Sequence, residues 1–307
     1  MQSKPSIISL LQNINPYTSV EDIIKIINTT ISHEKRLKDI SSYMSKKKMG
    51  YKILYLNIAT TSLKIEEKNF VIYPNGLKNS KRFNSQDGIV IFGCESEYNN
   101  YCDFIFPVNN NNNSKYDQNN EKISNSNQID NFFSFLIFFC LDDENFYLKN
   151  FNKNLGCLMK IQKYEINQNT LLNIGNTFLI INIDKIEKIL KIKIFNNETI
   201  KKIENEVLDI KANEMSFDLK QKNIVTIGRN NSCDVVLEDM MLSKIQCSII
   251  LEEDKNKNKK IIMLYDGNYK KKKESTNGTW VYIMENQVIY NNFEFKVNHT
   301  LFVATLK

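Results

Sequence analysis

The chain has 307 residues, 42% of them hydrophobic and 25% charged, which is ordinary for a globular protein. Its 41 basic and 35 acidic residues give a formal net charge of +6, which permits an acidic ligand without requiring one. The length predicts two domains and an extension, and no run approaches the roughly 18 apolar residues of a membrane-spanning helix.

Residues 1–50 form a predicted helical N-terminal extension. Its apolar side chains keep the spacing of one helix face, and Ser19 with Asp22 resembles a capping box. These side chains are Val20, Ile23, Ile24, Ile27 and Ile31. Two interpretations stay open: the helix packs on the first domain, or it docks a partner or a second copy of the chain.

From Tyr51 onward, short β-rich runs alternate with turns of Asn, Asp, Gly and Lys, which is typical of a β-sandwich. We assign residues 51–187 to a first sandwich. Its longest apolar run, Phe132–Leu141, has the length of a buried strand. Residues 108–130 are rich in Asn, Ser and Gln, and they predict a disordered loop. Codon bias is an alternative origin of the Asn run, because asparagine is used heavily everywhere.

Residues 190–307 again alternate strand-like runs with polar turns, and they repeat the order of the first region. The matched segments are Ile89–Cys94 with Ile224–Arg229, Cys102-Asp103 with Cys233-Asp234, Phe146–Cys157 with Ile262–Thr279, and Asn173–Phe178 with Lys296–Leu301. The sequence therefore predicts a mainly β fold that contains two copies of one sandwich after the helical extension.

Polar motifs follow several predicted strands of the second region. They are Ile227-Gly228-Arg229, Cys233-Asp234, Leu242-Ser243-Lys244, Asp266 and Ser275-Thr276-Asn277-Gly278-Thr279. Together they resemble the forkhead-associated (FHA) domain family, whose members are phosphothreonine-binding β-sandwiches. The resemblance covers about residues 190–306, and in a weaker form about 50–185. It implies tandem FHA-like sandwiches and a partner protein that contains phosphothreonine.

Four of these residues have the chemistry that a phosphopeptide requires. Arg229 offers a planar fork of fixed positive charge, which matches the oxygens of a phosphate. Ser243 supplies a short hydroxyl donor, and Lys244 adds a flexible positive charge beside it. Asn277 carries an amide donor and an acceptor, so it can bond the peptide main chain. We expect these side chains to form the phosphopeptide-binding set, with Thr276 added to it by the resemblance.

The resemblance implies that Thr276 lines a pocket for the γ-methyl group of phosphothreonine; one methyl group gives roughly 1–3 kcal/mol of discrimination. Gly228 and Gly278 are expected to allow tight backbone geometry, and Thr279 to brace the turn. Where the family pattern reads Ser-Arg-x-His, this chain has Ser243-Lys244-Ile245-Gln246. The family histidine is a scaffold residue, and the amide of Gln246 can replace some of its hydrogen bonds.

The first copy lacks a charged phosphate anchor. Cys94 stands at the position of Arg229, and the turn equivalent to Thr276–Thr279 reads Asn154-Leu155-Gly156-Cys157. We therefore predict a degenerate FHA-like domain that packs against a partner or binds without phosphate; an unrelated β domain is the alternative. Taken singly, Arg229 also fits a surface arginine and Asn277-Gly278 a plain hairpin turn.

The leading functional prediction is a non-enzymatic adaptor that reads phosphothreonine, and the alternative is a structural subunit that binds partners without phosphate. Phosphate-binding GxxxxGK[ST], kinase and metal-ligand motifs are absent from the sequence, which argues against an enzyme, a cofactor and a metal. The run Lys270–Lys273 predicts either a solvated loop or a basic segment that attracts acidic residues around the phosphosite or nucleic acid. Basic residues are not interleaved with aromatics, which argues against nucleic acid.

The cysteines are scattered and lack a CxxC pair, and only His33 and His299 could complete a mixed zinc site. They are Cys94, Cys102, Cys140, Cys157, Cys233 and Cys247. Isolated cysteines of this kind are usually small buried side chains of a protein in a reducing compartment. The N-terminus also lacks the apolar core of a signal peptide. We therefore predict an intracellular protein, nuclear or cytoplasmic.

Overall fold

The structure is a computed structural model that describes residues 11, 20–83, 85–94, 101–107, 135–150, 156–166, 169–195, 213–254, 259–298 and 300–307. The described chain is mainly β with a short two-helix segment near the N-terminus, which confirms the predicted fold class. The predicted disordered loop, residues 108–130, lies outside the described residues. None of the helices described is long and apolar enough to cross a membrane.

The first helix, α1, spans Val20–Thr30, and the second, α2, spans His33–Lys47. Ser32 caps α2, because its hydroxyl accepts a hydrogen bond from the backbone nitrogen of Lys35 at 3.3 Å. Lys48 ends α2 in the left-handed conformation, with a φ of 44°. Both helix boundaries therefore have a local cause in the sequence.

Strands make up most of the remaining described chain. They are β1 (Leu54–Thr60), β2 (Asn69–Tyr73), β3 (Gly76–Leu77), β4 (Ile89–Cys94), β5 (Phe104–Phe106), β6 (Phe135–Cys140), β7 (Asn145–Asn150), β8 (Cys157–Ile161), β9 (Lys163–Glu165), β10 (Thr170–Ile174), β11 (Thr177–Asp184), β12 (Ile189–Phe195), β13 (Asn213–Asp218), β14 (Ile224–Gly228), β15 (Val235–Val236), β16 (Cys247–Asp254), β17 (Lys259–Asp266), β18 (Thr279–Tyr282), β19 (Gln287–Val288), β20 (Phe293–Val297) and β21 (Thr300–Leu306).

The chain divides into two compact units, and one of them is made of two separate segments. Unit 1 contains Met1–Cys157 and Ile283–Lys307, and unit 2 contains Leu158–Tyr282. The predicted division at residues 187–190 differs from this one. Residues 158–187 lie in unit 2, and residues 283–307 lie in unit 1, because the strands in these segments hydrogen-bond there.

Unit 1 is a sandwich of two sheets. In one sheet β20, β21, β1, β2 and β3 follow one another and every pair is antiparallel. The other sheet has the order β19-β7-β6-β4-β5, with β4 and β5 parallel. Aromatic rings fill the space between the sheets: Phe135 of β6 contacts both Phe295 and Phe302, with ring centroids 5.4 and 5.2 Å apart.

Helix α1 belongs to unit 1. Its side chains Ile23 and Ile27 are buried in one cluster with Ile89, Ile91 and Phe138. The spacing that predicted an amphipathic helix is therefore the spacing of a packed face.

A buried ion cluster also joins α2 to the sandwich of unit 1. Arg36 on α2 donates to Asp87 (Nη2–Oδ2 2.8 Å), while Arg82 donates to Asp87 (Nη2–Oδ1 2.7 Å) and to Asp103 (Nε–Oδ2 3.0 Å). All four side chains are less than a tenth exposed. Burial alone raises the pKa of Asp87, but the two arginines outweigh it and hold this pKa below its usual range.

Unit 2 also contains two sheets. One has the order β13-β12-β11-β10-β18-β8, all antiparallel. The other has the order β9-β17-β16-β14-β15, with β14 and β15 parallel. Alternate side chains of β11 are buried, as expected for a strand that packs one face on a core.

Candidate functional site

The first part of the site is the end of strand β14, where Gly228 precedes Arg229. A Cβ on Gly228 would lie 2.5 Å from the carbonyl oxygen of Lys244 and 2.9 Å from the backbone nitrogen of Gln246. The missing side chain allows the segment after β14 to approach the segment before β16. Arg229 and Asn230 then donate their backbone N–H groups to Ser243 and Lys244, at 3.3 and 3.1 Å.

Arg229 is exposed, and its guanidinium is oriented by the neighbouring segment. Its Nε donates to the carbonyl oxygen of Leu242 at 2.7 Å. A guanidinium has five N–H donors in one plane, and the contact with Leu242 uses one of them. Because a carbonyl is uncharged, this contact does not neutralise the positive charge of Arg229. Lys244 is also exposed and follows Ser243 in the same segment. Ser243 therefore has one cation next to it in the chain, Lys244, and a second, Arg229, whose backbone nitrogen donates to the Ser243 carbonyl oxygen.

The second part of the site is the turn before β18, which contacts the first through Ser243. The backbone nitrogen of Thr276 donates to Ser243 Oγ at 2.9 Å, and the two hydroxyl oxygens lie 3.3 Å apart. The predicted site residues on the two sides, separated by more than thirty positions in the chain, therefore meet directly. Thr276 and Asn277 are both exposed.

The side chain of Asn277 is fixed by the same segment. Its Nδ2 donates to the carbonyl oxygen of Met241 at 2.7 Å, and the backbone carbonyl oxygen of Asn277 accepts from Trp280 Nε1 at 3.1 Å. Gly278 has a φ of +74°, which a side chain would strain. The Asn-Gly turn is held in place by contacts to both sides of the site.

Gln246 is fully buried and links the two parts of the site. Its Oε1 accepts from the backbone nitrogen of Ser243 at 3.1 Å. Its Nε2 lies 2.9 Å from both the Ser275 hydroxyl and the Gly278 carbonyl oxygen. The geometry suits the scaffold role that the sequence suggests for this position, since one amide satisfies backbone groups of both loops.

Asp266, at the end of β17, is a second, half-buried support of the turn. Its carboxylate accepts from the Ser275 backbone nitrogen (2.9 Å), the Ser275 hydroxyl (2.6 Å) and the Thr279 hydroxyl (2.7 Å). Thr279 is fully buried. Asp266 stands in the sequence motif, but its role as the acceptor for three donors appears only in the structure.

Sequence reasoning missed two residues, one in β8 and one between β8 and β9. The backbone oxygen of Gln162 accepts from the Asp266 nitrogen at 3.0 Å, and its Nε2 donates to Glu274 at 3.2 Å. The aliphatic chain of Lys160 covers Gly278, so a Cβ there would lie 2.8 Å from Lys160 Cε. Neither residue gave a signal, because both precede the region that carries the motifs.

Asp239 is a third missed residue, and it shapes the loop that receives Asn277. One of its oxygens accepts from the backbone nitrogen of Met241 at 2.8 Å, and the other from that of Asn176 at 3.0 Å. The loop therefore has a fixed conformation beside Arg229. An Asp whose carboxylate accepts from the N–H two residues later is a recognisable turn signal, whereas the contact with Asn176 has no counterpart in the sequence pattern.

The decisive comparison concerns the segment that contains all of these predicted site residues. Residues 225–299 match the family model of the FHA domain. The match runs from β14 to the end of β20 and includes every residue of the predicted binding and supporting sets. It supports a phosphopeptide-binding, protein-interaction module, since FHA domains are generally interaction modules and not enzymes. A comparison with curated proteins found no match.

Proposed function

We propose that the chain is a non-enzymatic adaptor whose unit 2 binds a phosphothreonine-containing protein. The observation that carries the proposal is the hydrogen bond from the Thr276 backbone to Ser243 Oγ at 2.9 Å. It brings the Asn-Gly turn to the segment that also orients Arg229. The FHA match over residues 225–299 supports the same ligand class.

In the proposed complex Arg229 and Lys244 neutralise a phosphate of about −1.5 to −2 charges. Arg229 supplies the N–H groups not used by Leu242, and the Ser243 hydroxyl donates to a further phosphate oxygen. In the free protein the Ser243 oxygen accepts from the Thr276 backbone nitrogen at 2.9 Å and its O–H donates to the Thr276 hydroxyl at 3.3 Å, so phosphate binding redirects this donor. Both groups are thus oriented before the ligand arrives, which lowers the entropy cost of binding.

Asn277 is proposed to bond the main chain of the peptide. In the free protein its Nδ2 is bound to Met241, so the peptide either uses Oδ1 or displaces this contact. Thr276 is proposed to line the pocket for the γ-methyl group. Loss of that methyl, in phosphoserine, is expected to weaken binding by roughly 1–3 kcal/mol.

The test is the affinity of the full chain for a phosphothreonine peptide library and for its unphosphorylated counterpart. Arg229→Ala removes charge-assisted hydrogen bonds worth about 1.5–3 kcal/mol, so affinity should fall roughly 10- to 100-fold. Arg229→Lys keeps the charge without the planar fork and should recover part of it. Lys260→Gln is the matched control, since this exposed lysine lies near the opposite end of β17 from Asp266.

Retention of phosphopeptides by Arg229→Ala at the affinity of the unchanged chain refutes phosphate reading. The alternative of a structural subunit is separated by treating a lysate with phosphatase before capture on the chain. Partners lost after this treatment support the adaptor, and partners retained support the structural subunit.

Unit 1 is proposed to act in this adaptor as a phosphate-independent part. Cys94 stands at the position of Arg229 in the motif, and the turn that ends at Cys157 stands at the position of Thr276–Thr279, so the charged phosphate anchor is lost. The proposed docking or self-association role of the N-terminal helix would have to use side chains other than Ile23 and Ile27, because these two are buried in unit 1. Deleting residues 1–19 and measuring partner capture tests whether the extension contributes.

A further inference from the structure

The strands of the two units follow one another in the same spatial order. In unit 1, β5 lies parallel to β4, followed by β6, β7 and β19; in unit 2, β15 lies parallel to β14, followed by β16, β17 and β9. The second sheets correspond as well, since β2-β1-β21-β20 in unit 1 matches β13-β12-β11-β10 in unit 2. The turn glycines before β8 and β18 also agree, as Gly156 and Gly278 have φ values of 62° and 74°.

In each unit, three of these strands come from the part of the sequence that carries the other unit's motif order. Strands β9, β10 and β11 follow the seven earlier strands of unit 1, yet they complete unit 2. Strands β19, β20 and β21 follow the strands of unit 2, yet they complete unit 1. In a simple tandem arrangement each set would close the sandwich that precedes it.

The two sets of strands are interchangeable in pattern. Strands β10 and β20 have five residues each, and each is followed by two residues before the next strand begins. The first of those two residues is left-handed in both, with φ values of 56° at Gly175 and 51° at Asn298. Burial alternates in the same phase along β11 and β21. Side-chain pattern alone therefore does not decide which sandwich a set completes.

We propose that this chain consists of two copies of one sandwich that have exchanged their last three strands within a single molecule. The connection between the copies gives the physical reason. Only residues 185–188 separate β11 from β12, and Asp184 closes them into a turn by accepting from the backbone nitrogens of Ile186 and Glu187 at 2.9 and 3.0 Å. This short hairpin pairs β11 with β12, the first strand of the second copy. Short connections of this kind favour strand exchange.

The exchange also assembles the candidate site from both copies. The site motifs lie in the second copy, but Gln162, which supports Asp266, and Lys160, which covers Gly278, lie on the exchanged segment of the first copy. We assign Gln162 as a positioning residue that acts on the turn through Asp266. A fragment of residues 190–307 would contain the motifs without these supports.

Disulfide trapping in the full chain tests the exchange, because opposite residues of paired strands have the Cα separation that a disulfide needs. The structure pairs Asn57 with Val303 and Ile180 with Lys193. Val303 and Ile180 are equivalent positions of the two copies, so a tandem arrangement would pair Asn57 with Ile180 instead. None of the four residues is buried, which limits damage to the core.

The variants N57C/V303C and I180C/K193C should form disulfides within one molecule under mild oxidation, as measured by peptide mapping of the monomer. The matched controls N57C/I180C and K193C/V303C carry the same replacements in the other combination and should stay reduced. Disulfides in the two control variants overturn the proposal. Joining of N57C/V303C only between two molecules also overturns it, since the exchange would then occur between chains.

Discussion

In unit 1 the arginines Arg36 and Arg82 are buried and contact carboxylates, whereas in unit 2 Arg229 is exposed and its contact at Leu242 is an uncharged carbonyl. A guanidinium that faces a buried carboxylate stabilises the fold, and its charge is already neutralised. A guanidinium that is held by a carbonyl keeps its charge for a ligand. The comparison teaches that the partner of an arginine, more than its presence, separates a structural ion pair from a binding site.

The polar groups that support the loops of unit 2 serve a different purpose from the buried charges of unit 1. Gln246 and Asp266 bond backbone groups of the loops that carry Ser243 and Ser275. In unit 1, Asp87 and Asp103 bond the side chains of arginines. The first arrangement fixes loop positions, and the second fixes the attachment of a helix.

The strongest effect is expected from a substitution that breaks the ion cluster of unit 1. Asp87→Asn leaves the buried Arg36 without its carboxylate and Arg82 with Asp103 alone, so we expect a loss of about 3–5 kcal/mol in the free energy of unfolding of unit 1. Urea titration followed by circular dichroism measures the loss, and hydrogen exchange assigns it to unit 1. The exposed Glu67→Gln serves as a control. A loss below about 1 kcal/mol would show that the cluster is not structural.

The second effect removes the buried amide of unit 2. Gln246→Ala leaves the Ser243 nitrogen and the Gly278 carbonyl without their partner, which should cost about 2–4 kcal/mol and weaken phosphopeptide binding. A neutral histidine has one acceptor and one donor nitrogen, so Gln246→His should keep two of the contacts and retain binding. The measurement is calorimetric titration with a phosphothreonine peptide. Equal losses for Ala and His would contradict this account, and the exposed Gln221→Ala controls for general effects.

A third and smaller effect is expected from Gly228→Ala. Its methyl group would meet the Lys244 carbonyl oxygen at 2.5 Å, so the segments on either side of Arg229 must separate at a cost of about 1–3 kcal/mol. Phosphopeptide affinity should fall with stability, because Ser243 and Arg229 lie on those segments. The exposed Asn231→Ala in the next turn is the control. An unchanged melting temperature and an unchanged phosphopeptide affinity would show that this position does not require glycine.

The smallest expected effect is a difference between the two units in their response to pH. The second pKa of a phosphate is about 6, so phosphopeptide affinity should fall roughly 3- to 10-fold from pH 7 to pH 5 as one charge is lost. Unit 1 should not lose stability in this range. The folded pKa of Asp87 is held below its usual value, so its stabilisation persists above the unfolded pKa of about 3.9 and is lost only as pH falls through the folded pKa.

Parallel measurements of peptide affinity and urea midpoint from pH 7 to pH 3 check this separation. Loss of unit 1 stability between pH 7 and pH 5 would contradict the assignment of Asp87 as an ionised partner of the two arginines.

Several features follow directly from the sequence. The spacing of Ile23 and Ile27 predicts a helix face, alternation predicts strands, and the turns after Gly228 and before Thr279 are marked by their residue types. These signals are local, so they can be read within a few residues. The mainly β fold and the meeting of Ser243 with Thr276 follow from them once the strands are paired.

Other features depend on which strands pair, and local patterns do not contain that information. Strands β11 and β21 begin with the same alternation of buried and half-buried residues, so sequence alone does not place residues 158–187 in unit 2. The supports from Lys160 and Gln162 were missed for the same reason. The cluster of Arg36, Arg82 and Asp87 was missed because charged side chains normally face solvent, and nothing local marks their burial.

The hydrogen bond from Trp280 to Asn277 has a practical consequence. Trp280 is the only tryptophan in the chain, it is 9% exposed, and its indole N–H is bound to the carbonyl of the turn residue that is proposed to contact the peptide. Emission excited at wavelengths that tyrosine does not absorb therefore originates from one place. The chain carries an intrinsic optical reporter at the edge of its candidate site, and ligand binding there can be followed without a label.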